Sequence, residues 1–333
     1  MNDVELVEVV SAETGMRLDR WFRAHYPSVP HGALQKWLRT GQVRVDGGRA
    51  KANARLEAGQ RVRVPPMRTA NPKSRTSRPP TAQTLSDDDQ RFIQDLVIYK
   101  DSRVLAINKP PGLAVQGGTK TSRHVDGLLD GLKFDAKERP RLVHRLDKDT
   151  SGVLLLARDR GSASALGDEL KTREARKTYW ALLNGVPSPQ RGEIDLALVK
   201  KGGAQSERVH VAEENEEGAR YAVTRYAVLE PAGSKLCWAA LWPLTGRTHQ
   251  LRAHMAAIGH PVVGDGKYGG REAHPGGEIG SSLHLHARKI EFANPSGNGR
   301  LSITAKLPDH MRKTWGLFGF DPELADELGE DEF

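Results

Sequence analysis

Asp147 stands in the stretch Leu142-Val143-His144-Arg145-Leu146-Asp147-Lys148-Asp149-Thr150-Ser151-Gly152, with the cations Arg145 and Lys148 close on either side. Neighbouring positive charge favours the ionised carboxylate at neutral pH. A fixed, ionised carboxylate can act as a base or as a nucleophile. The same residues could equally form a surface salt-bridge cluster, and the stretch by itself leaves both readings open. Asp147-Lys148-Asp149 superficially suggests a divalent-cation pair, but the lysine between the acids argues against one. His249, His254, His284 and His286 match neither His-Glu-x-x-His nor a cysteine-bearing zinc spacing. No metal is expected, and packed or hydrogen-bonded roles are expected instead.

Such a carboxylate needs rigid elements around it. Leu142-Val143 leads in and Val153-Leu154-Leu155-Leu156-Ala157 leads out, so the polar stretch reads as a connection between two buried strands. Upstream, Val104-Leu105-Ala106-Ile107 reads as a strand that ends at the stiff turn Asn108-Lys109-Pro110-Pro111-Gly112. Lys109 there is either a phosphate contact or a structural lysine. Downstream, Lys177-Thr178-Tyr179-Trp180-Ala181-Leu182-Leu183 reads as a strand, and Tyr179 by itself is a core aromatic. Further strands at 208–211, 219–229 and 236–244 are joined by polar turns, which argues an antiparallel or mixed sheet. The single cysteine, Cys237, reads as a small buried hydrophobe on one of them. At Leu244-Thr245-Gly246-Arg247-Thr248-His249-Gln250-Leu251 a strand hands over to a helix. Arg247, Gln250, Leu251 and His254 share one helical face, with Arg247 in the first turn. A cation there opposes the helix dipole and needs a reason.

The chain of 333 residues carries a formal net charge of +8, which favours a polyanionic partner. Residues 1–80 hold 15 Lys/Arg against 7 Asp/Glu. Within them Leu18, Trp21 and Phe22, then Leu34, Trp37 and Leu38, have helical spacing; Val43 and Val45 alternate up to an Asp46-Gly47-Gly48 hairpin turn. Arg17, Arg20, Lys36, Arg39, Arg44 and Arg49 crowd this unit, enough to contact several phosphates. Residues 67–90 are rich in Pro, Ser, Thr, Arg and Asp and read as a flexible linker. Residues 317–333 read as an acidic, frayed C-terminal tail. No apolar run approaches membrane-spanning length, and the acidic start Met1-Asn2-Asp3-Val4-Glu5 is unlike a signal peptide, so a cytoplasmic location is expected.

His144-Arg145-Leu146-Asp147-Lys148-Asp149-Thr150-Ser151-Gly152 resembles the signature motif of the RluA-type family of RNA pseudouridine synthases. Asn108-Lys109-Pro110-Pro111-Gly112, Lys177-Thr178-Tyr179-Trp180-Ala181 and Gly246-Arg247-Thr248-His249-Gln250-Leu251-Arg252 are similar to its other motifs, and the likeness runs on through Gly264-Asp265-Gly266-Lys267-Tyr268-Gly269. Val115-Gln116-Gly117-Gly118 is similar to the family's large-subunit synthase C branch, and residues 14–66 resemble an S4 RNA-binding domain. The resemblance implies an α+β protein: a small S4-like domain tethered to a catalytic domain, at 91–316, on a mixed, largely antiparallel sheet with flanking helices. It implies conversion of uridine to pseudouridine in RNA, most simply large-subunit ribosomal RNA, by a monomer without a cofactor. Asp147 would be the catalytic aspartate, Arg247 its ion-pair partner and Tyr179 a ring stacked on the target base. Arg145 would fill the gap left by that base. Lys109, Lys177, Leu251 and His249 would complete the substrate pocket. A non-catalytic RNA-binding or ribosome-assembly factor on the same fold is the competing expectation. Loss of Asp147, Tyr179 or Arg247 would have favoured it, and all three are present.

Overall fold

The computed structural model describes residues 4–27, 29–66, 85–118, 121, 123–172, 174–201, 208–297 and 299–323. They fall into two units, Met1–Ala82 and Gln83–Phe333. The first comprises β1 (Glu5–Glu8), α1 (Leu18–His25), α2 (His31–Arg39), β2 (Arg44–Val45), β3 (Gly48–Arg49) and β4 (Arg61–Val64). Its antiparallel sheet runs in the order β1-β4-β2-β3. Leu18, Trp21 and Phe22 of α1 and Leu34 and Leu38 of α2 are buried against Val43, Leu56, Val62 and Val64, as their helical spacing predicts. Asp46 and Gly47 turn the β2–β3 hairpin, both with positive φ (48° and 78°), the geometry that an Asp-Gly pair adopts at least cost. The unit begins earlier than the expected residue 14. β1 pairs with β4 from Glu5↔Val64 to Glu8↔Arg61, an edge strand of four residues, too brief for a periodicity to be read.

The second unit begins sooner than the expected residue 91, which falls inside its first helix. Residues 67–84 of the expected linker lie outside the described residues, but its last four, Asp87–Gln90, open α3 (Asp87–Asp95). Ser86 Oγ accepts from the Asp89 N–H at 3.1 Å, and three acids in the first turn suit the helix dipole. Ile93 then anchors the helix in the core. There follow β5 (Val97–Lys100), β6 (Val104–Lys109), α4 (Val125–Leu128), β7 (Arg141–Leu142), β8 (Ser151–Ala157) and α5 (Arg160–Glu169). Next come β9 (Arg176–Asn184), β10 (Arg191–Asp195), β11 (Leu198–Lys201), β12 (Arg208–Val211), β13 (Val223–Ala232) and β14 (Leu236–Pro243). The last elements are α6 (Gln250–Ala257), β15 (Leu285–Ala293), β16 (Arg300–Thr304) and α7 (Asp309–Phe318).

Ten of these strands form one sheet, with the path β10-β13-β14-β9-β15-β8-β6-β5, β16 paired to β15 and β7 to β8. Its pairings are antiparallel except β15 with β8, so the sheet is mixed and largely antiparallel, as expected. β8 is buried along its whole length, which is why it reads as an unbroken apolar run. Cys237 lies buried on β14, where burial pushes its thiol up to about 12. At the parallel junction, His286 opposes Ser151 and Ala287 opposes Gly152. Gly152 has φ +111°, and a Cβ there would stand 2.2 Å from the Ala287 carbonyl oxygen, so the close approach of the strands admits only glycine. The acidic tail also starts later than expected. Phe318 and Phe320 pack with Trp238 and Trp315 in the core after Gly319 ends α7 in the left-handed conformation. Residues 324–333 lie outside the described residues.

Candidate active site

The loop between β7 and β8 that carries Asp147 is held at three points. Leu146 is 5% exposed in the core. Ser151 Oγ lies 2.9 Å from His286 Nδ1, whose ring donates from Nε2 to the Ala305 carbonyl at 3.1 Å. The third point is Lys109, which is fully buried; its Nζ donates to the carbonyls of Pro110, Leu113 and Lys148 at 2.9, 2.8 and 2.9 Å. Three acceptors use all three ammonium hydrogens. Lys109 is therefore not the substrate contact expected of it, but a clamp between the proline turn and the Asp147 loop. Burial pushes it down to about 7, against the pull of Asp149 and Asp147. Lys109→Met is expected to cost about 3 kcal/mol by stranding three carbonyls, measured by denaturant unfolding; an unchanged midpoint would contradict the clamp.

Asp147 opens into a cavity of about 570 Å³ whose wall also includes Arg145, Lys177, Tyr179, Arg247, His249, Leu251 and Arg252. The expected site residues thus meet, save Lys109. The Asp147 side chain is 22% exposed, with His249 Nε2 at 3.9 Å from Oδ1 and Arg252 Nη1 at 3.9 Å from Oδ2. At that distance neither is a hydrogen bond, and Arg252 acts on the carboxylate through its charge. Tyr179 sits on β9 with its ring between the two core clusters that flank the cavity. Burial, then the negative charge of Asp147, raises its phenol pKa, so the hydroxyl stays protonated. Lys177 Nζ donates to the Leu170 carbonyl at 3.1 Å, and burial lowers its pKa. His144 Nε2 accepts from the Leu155 N–H at 2.8 Å; burial pushes the ring down to about 3, so it stays neutral. Leu251, at 6% exposed, forms an apolar part of the wall.

Arg252, not Arg247, faces Asp147. Arg252 is fixed by a bidentate pair to Asp265, Nε to Oδ2 and Nη2 to Oδ1, both 2.7 Å, and the Asp265 side chain is fully buried. Asp265 is itself held by the Lys267 and Tyr268 N–H groups at 3.2 Å each. Arg247 Nε instead donates to the Tyr221 carbonyl at 2.9 Å. The expected helix face fails for the same reason: α6 begins at Gln250, after His249 in the left-handed conformation, so Arg247 precedes it. Two arginines five residues apart flank the helix start, and spacing alone could not choose between them. Asp265 and Tyr268 carried a faint signal, an acid and an aromatic three apart among glycines, with no means of reading their partners.

His284 and His286 are indeed hydrogen-bonded, His284 through Ser282 O and Thr314 Oγ1. Among the described residues no three His, Cys, Asp or Glu side chains gather as a metal site. In the first unit Arg17, Arg20, Lys36, Arg39, Arg44 and Arg49 are all exposed. Two of them have internal partners: Arg17 pairs with Asp19 at 2.6 Å, and Arg44 donates to the Gly41 and Gly47 carbonyls at 3.1 and 3.0 Å.

Residues 103–257 match the family model described as RNA pseudouridylate synthase. The chain is 34% identical to the ribosomal large subunit pseudouridine synthase C of Escherichia coli O157:H7, over 93% of this chain and 95% of that one. It is 34% identical to the mitochondrial RNA pseudouridine synthase 4 of Arabidopsis thaliana, over 92% of this chain and 80% of that one. Among solved structures, the human RNA pseudouridylate synthase domain containing 4 superposes with a TM-score of 0.57 at 26% identity, covering 70% of this chain and 97% of that one. The chain belongs to the RNA pseudouridine synthase family.

The cavity beside Asp147, at about 570 Å³, lies within the range of small-molecule sites. Tyr179→Phe keeps the ring and removes only the hydroxyl; the synthase is expected to bind RNA unchanged and lose less than about tenfold in single-turnover rate, whereas Tyr179→Ala loses far more. A Tyr179→Ala variant of undiminished rate would sink the stacking role.

Proposed function

We propose that this synthase isomerises uridines of large-subunit ribosomal RNA, with Asp147 as the reactive carboxylate. The observation that carries the reading is the convergence on one cavity of Asp147, the Tyr179 ring and the Asp265-braced Arg252. The C1′–N1 bond breaks, the uracil turns within the cavity, C5 bonds to C1′, and C5 loses a hydrogen as N1 gains one. Atoms and electrons balance without an external reductant, oxidant or group donor. Asp147 supplies the nucleophile or base for this sequence. Arg252 counters its charge, Tyr179 stacks on the uracil, and exposed Arg145 takes the place of the base drawn out of the RNA. Large-subunit RNA is favoured by the 34% identity to the E. coli synthase C over nearly the whole of both chains. The deciding experiment maps pseudouridine across ribosomal RNA from cells with and without the protein. Large-subunit sites should revert to uridine in its absence; an unchanged map would refute the substrate.

The basic first unit serves as the RNA anchor, an S4-like domain in our reading. Deleting residues 1–66 is expected to weaken RNA binding and flatten its salt dependence by roughly two to four log–log units, for about three to five phosphates. Single-turnover rates at saturating enzyme should persist. An unchanged salt slope would mean that the anchor lies elsewhere.

A further inference from the structure

Tyr268 touches the site without lining its floor. Its hydroxyl is 2.9 Å from His249 Nδ1 and accepts from the Val209 N–H at 3.1 Å. Its ring lies beneath two guanidiniums, with Arg252 at 5.2 Å and Arg208 at 5.4 Å from the centroid. His249 adopts the left-handed conformation, φ 53° and ψ 20°, and its side chain makes no helix-capping bond. A non-glycine residue in that region is held there by its surroundings at some cost, and such residues concentrate at functional sites.

The hydrogen bonds of Tyr268 and the nearby carboxylate together select one form of the imidazole. The Val209 N–H can only donate, so it takes one lone pair of the phenol oxygen and leaves the O–H free to donate to His249 Nδ1. The opposite tautomer would turn a lone pair on Nε2 toward the Asp147 carboxylate at 3.9 Å, which is electrostatically unfavourable. Burial lowers the His249 pKa; Arg252 and Lys267 act in the same direction, and Asp147 and Asp265 oppose them. The ring is thus neutral near pH 7, with a single N–H to give.

We propose that Tyr268 is a positioning residue for the isomerisation, its hydroxyl fixing His249 in the tautomer whose Nε2–H faces Asp147 and the uridine bound against it. The inference rests on Asp147 being the reactive carboxylate. It assigns His249 a donor role in the cavity rather than a contact with the RNA backbone, and it gives Tyr268 a task beyond holding the β11–β12 hairpin through Val209.

The test uses the full-length protein. In ¹⁵N-histidine spectra at pH 7, with the His249 signal identified by its loss in His249→Gln, the wild type should show a protonated Nε2 and an unprotonated Nδ1, and Tyr268→Phe should shift toward a tautomer mixture. Tyr268→Phe should lower the single-turnover rate by about tenfold with RNA affinity within about twofold. In a His249→Ala background the same substitution should add nothing, because Tyr268 acts through the imidazole. His249→Gln, whose amide N–H reaches a similar point, should recover most of the rate that His249→Ala loses. A wild-type His249 protonated on Nδ1 overturns the proposal, as do rate losses for Tyr268→Phe and His249→Ala that multiply. If Asp147→Asn kept its turnover, the site reading beneath the proposal would fall, while the tautomer spectra would still report on the Tyr268–His249 pair.

Discussion

Asp147→Asn is expected to lower the single-turnover rate on the order of 10³-fold or more, because it removes the reactive oxygen and leaves every neighbour in place. RNA affinity should stay within a few-fold: the side chain offers little contact surface, being only 22% exposed. The loop should keep its shape, since Leu146, Lys109 and Ser151 hold it without help from the Asp147 carboxylate. The pair of measurements is pseudouridine formation at saturating enzyme and RNA binding at one fixed salt concentration. Turnover close to wild type would remove Asp147 from the mechanism. A parallel collapse of binding and rate would point to a misfolded loop, which thermal melting separates from lost chemistry.

Asp265→Ala should be the most destabilising of the substitutions considered. It leaves Arg252, 9% exposed, as a buried cation without its bidentate partner, at a cost of about 3–5 kcal/mol. In a unit of this size that corresponds to roughly 6–20 °C in Tm. The Lys267 and Tyr268 N–H groups lose their acceptor as well, so the loop carrying Tyr268 loosens with the pair. Catalysis should fall beyond the loss of folded protein, because Arg252 is then no longer aimed at Asp147. Asp265→Asn, which keeps one oxygen acceptor, should lie between the two in both readouts. Differential scanning calorimetry of the three proteins is the check, and a Tm within about 2 °C of wild type for Asp265→Ala would refute the bracing of Arg252.

Several elements were legible because each has a local signature. The apolar run of β8, the helical spacing of Leu18, Trp21 and Phe22, and the Asp46-Gly47 turn depend on neighbours in sequence, and the structure keeps all three. Boundaries were less legible where a decisive contact was distant or a segment was short. β1 is a four-residue strand that exists by pairing with β4 more than fifty residues away, and Phe320 belongs to the core through Trp238 and Trp315. α3 opens inside a run of aspartates that composition alone assigned to a linker, although a Ser cap and acidic first turn favour a helix start.

The site divides along the same line. The sequence by itself determined that Asp147 lies in a polar stretch leading into a buried strand and that positive charge concentrates in the first 80 residues, while the family resemblance joined Tyr179 and the 246–252 stretch to it; the lead-in strand is exposed to half-buried, not buried as expected. Those properties are written in residue type and spacing. Which arginine faces Asp147, whether Lys109 meets RNA or three carbonyls, and what Tyr268 touches were decided only by tertiary structure. Each is a matter of direction, set where β8 meets β15 and where a left-handed His249 turns the chain into α6. A long polar side chain reaches several places from one backbone position, and the fold selects among them by which buried partner, carboxylate or carbonyl, would otherwise go unpaired.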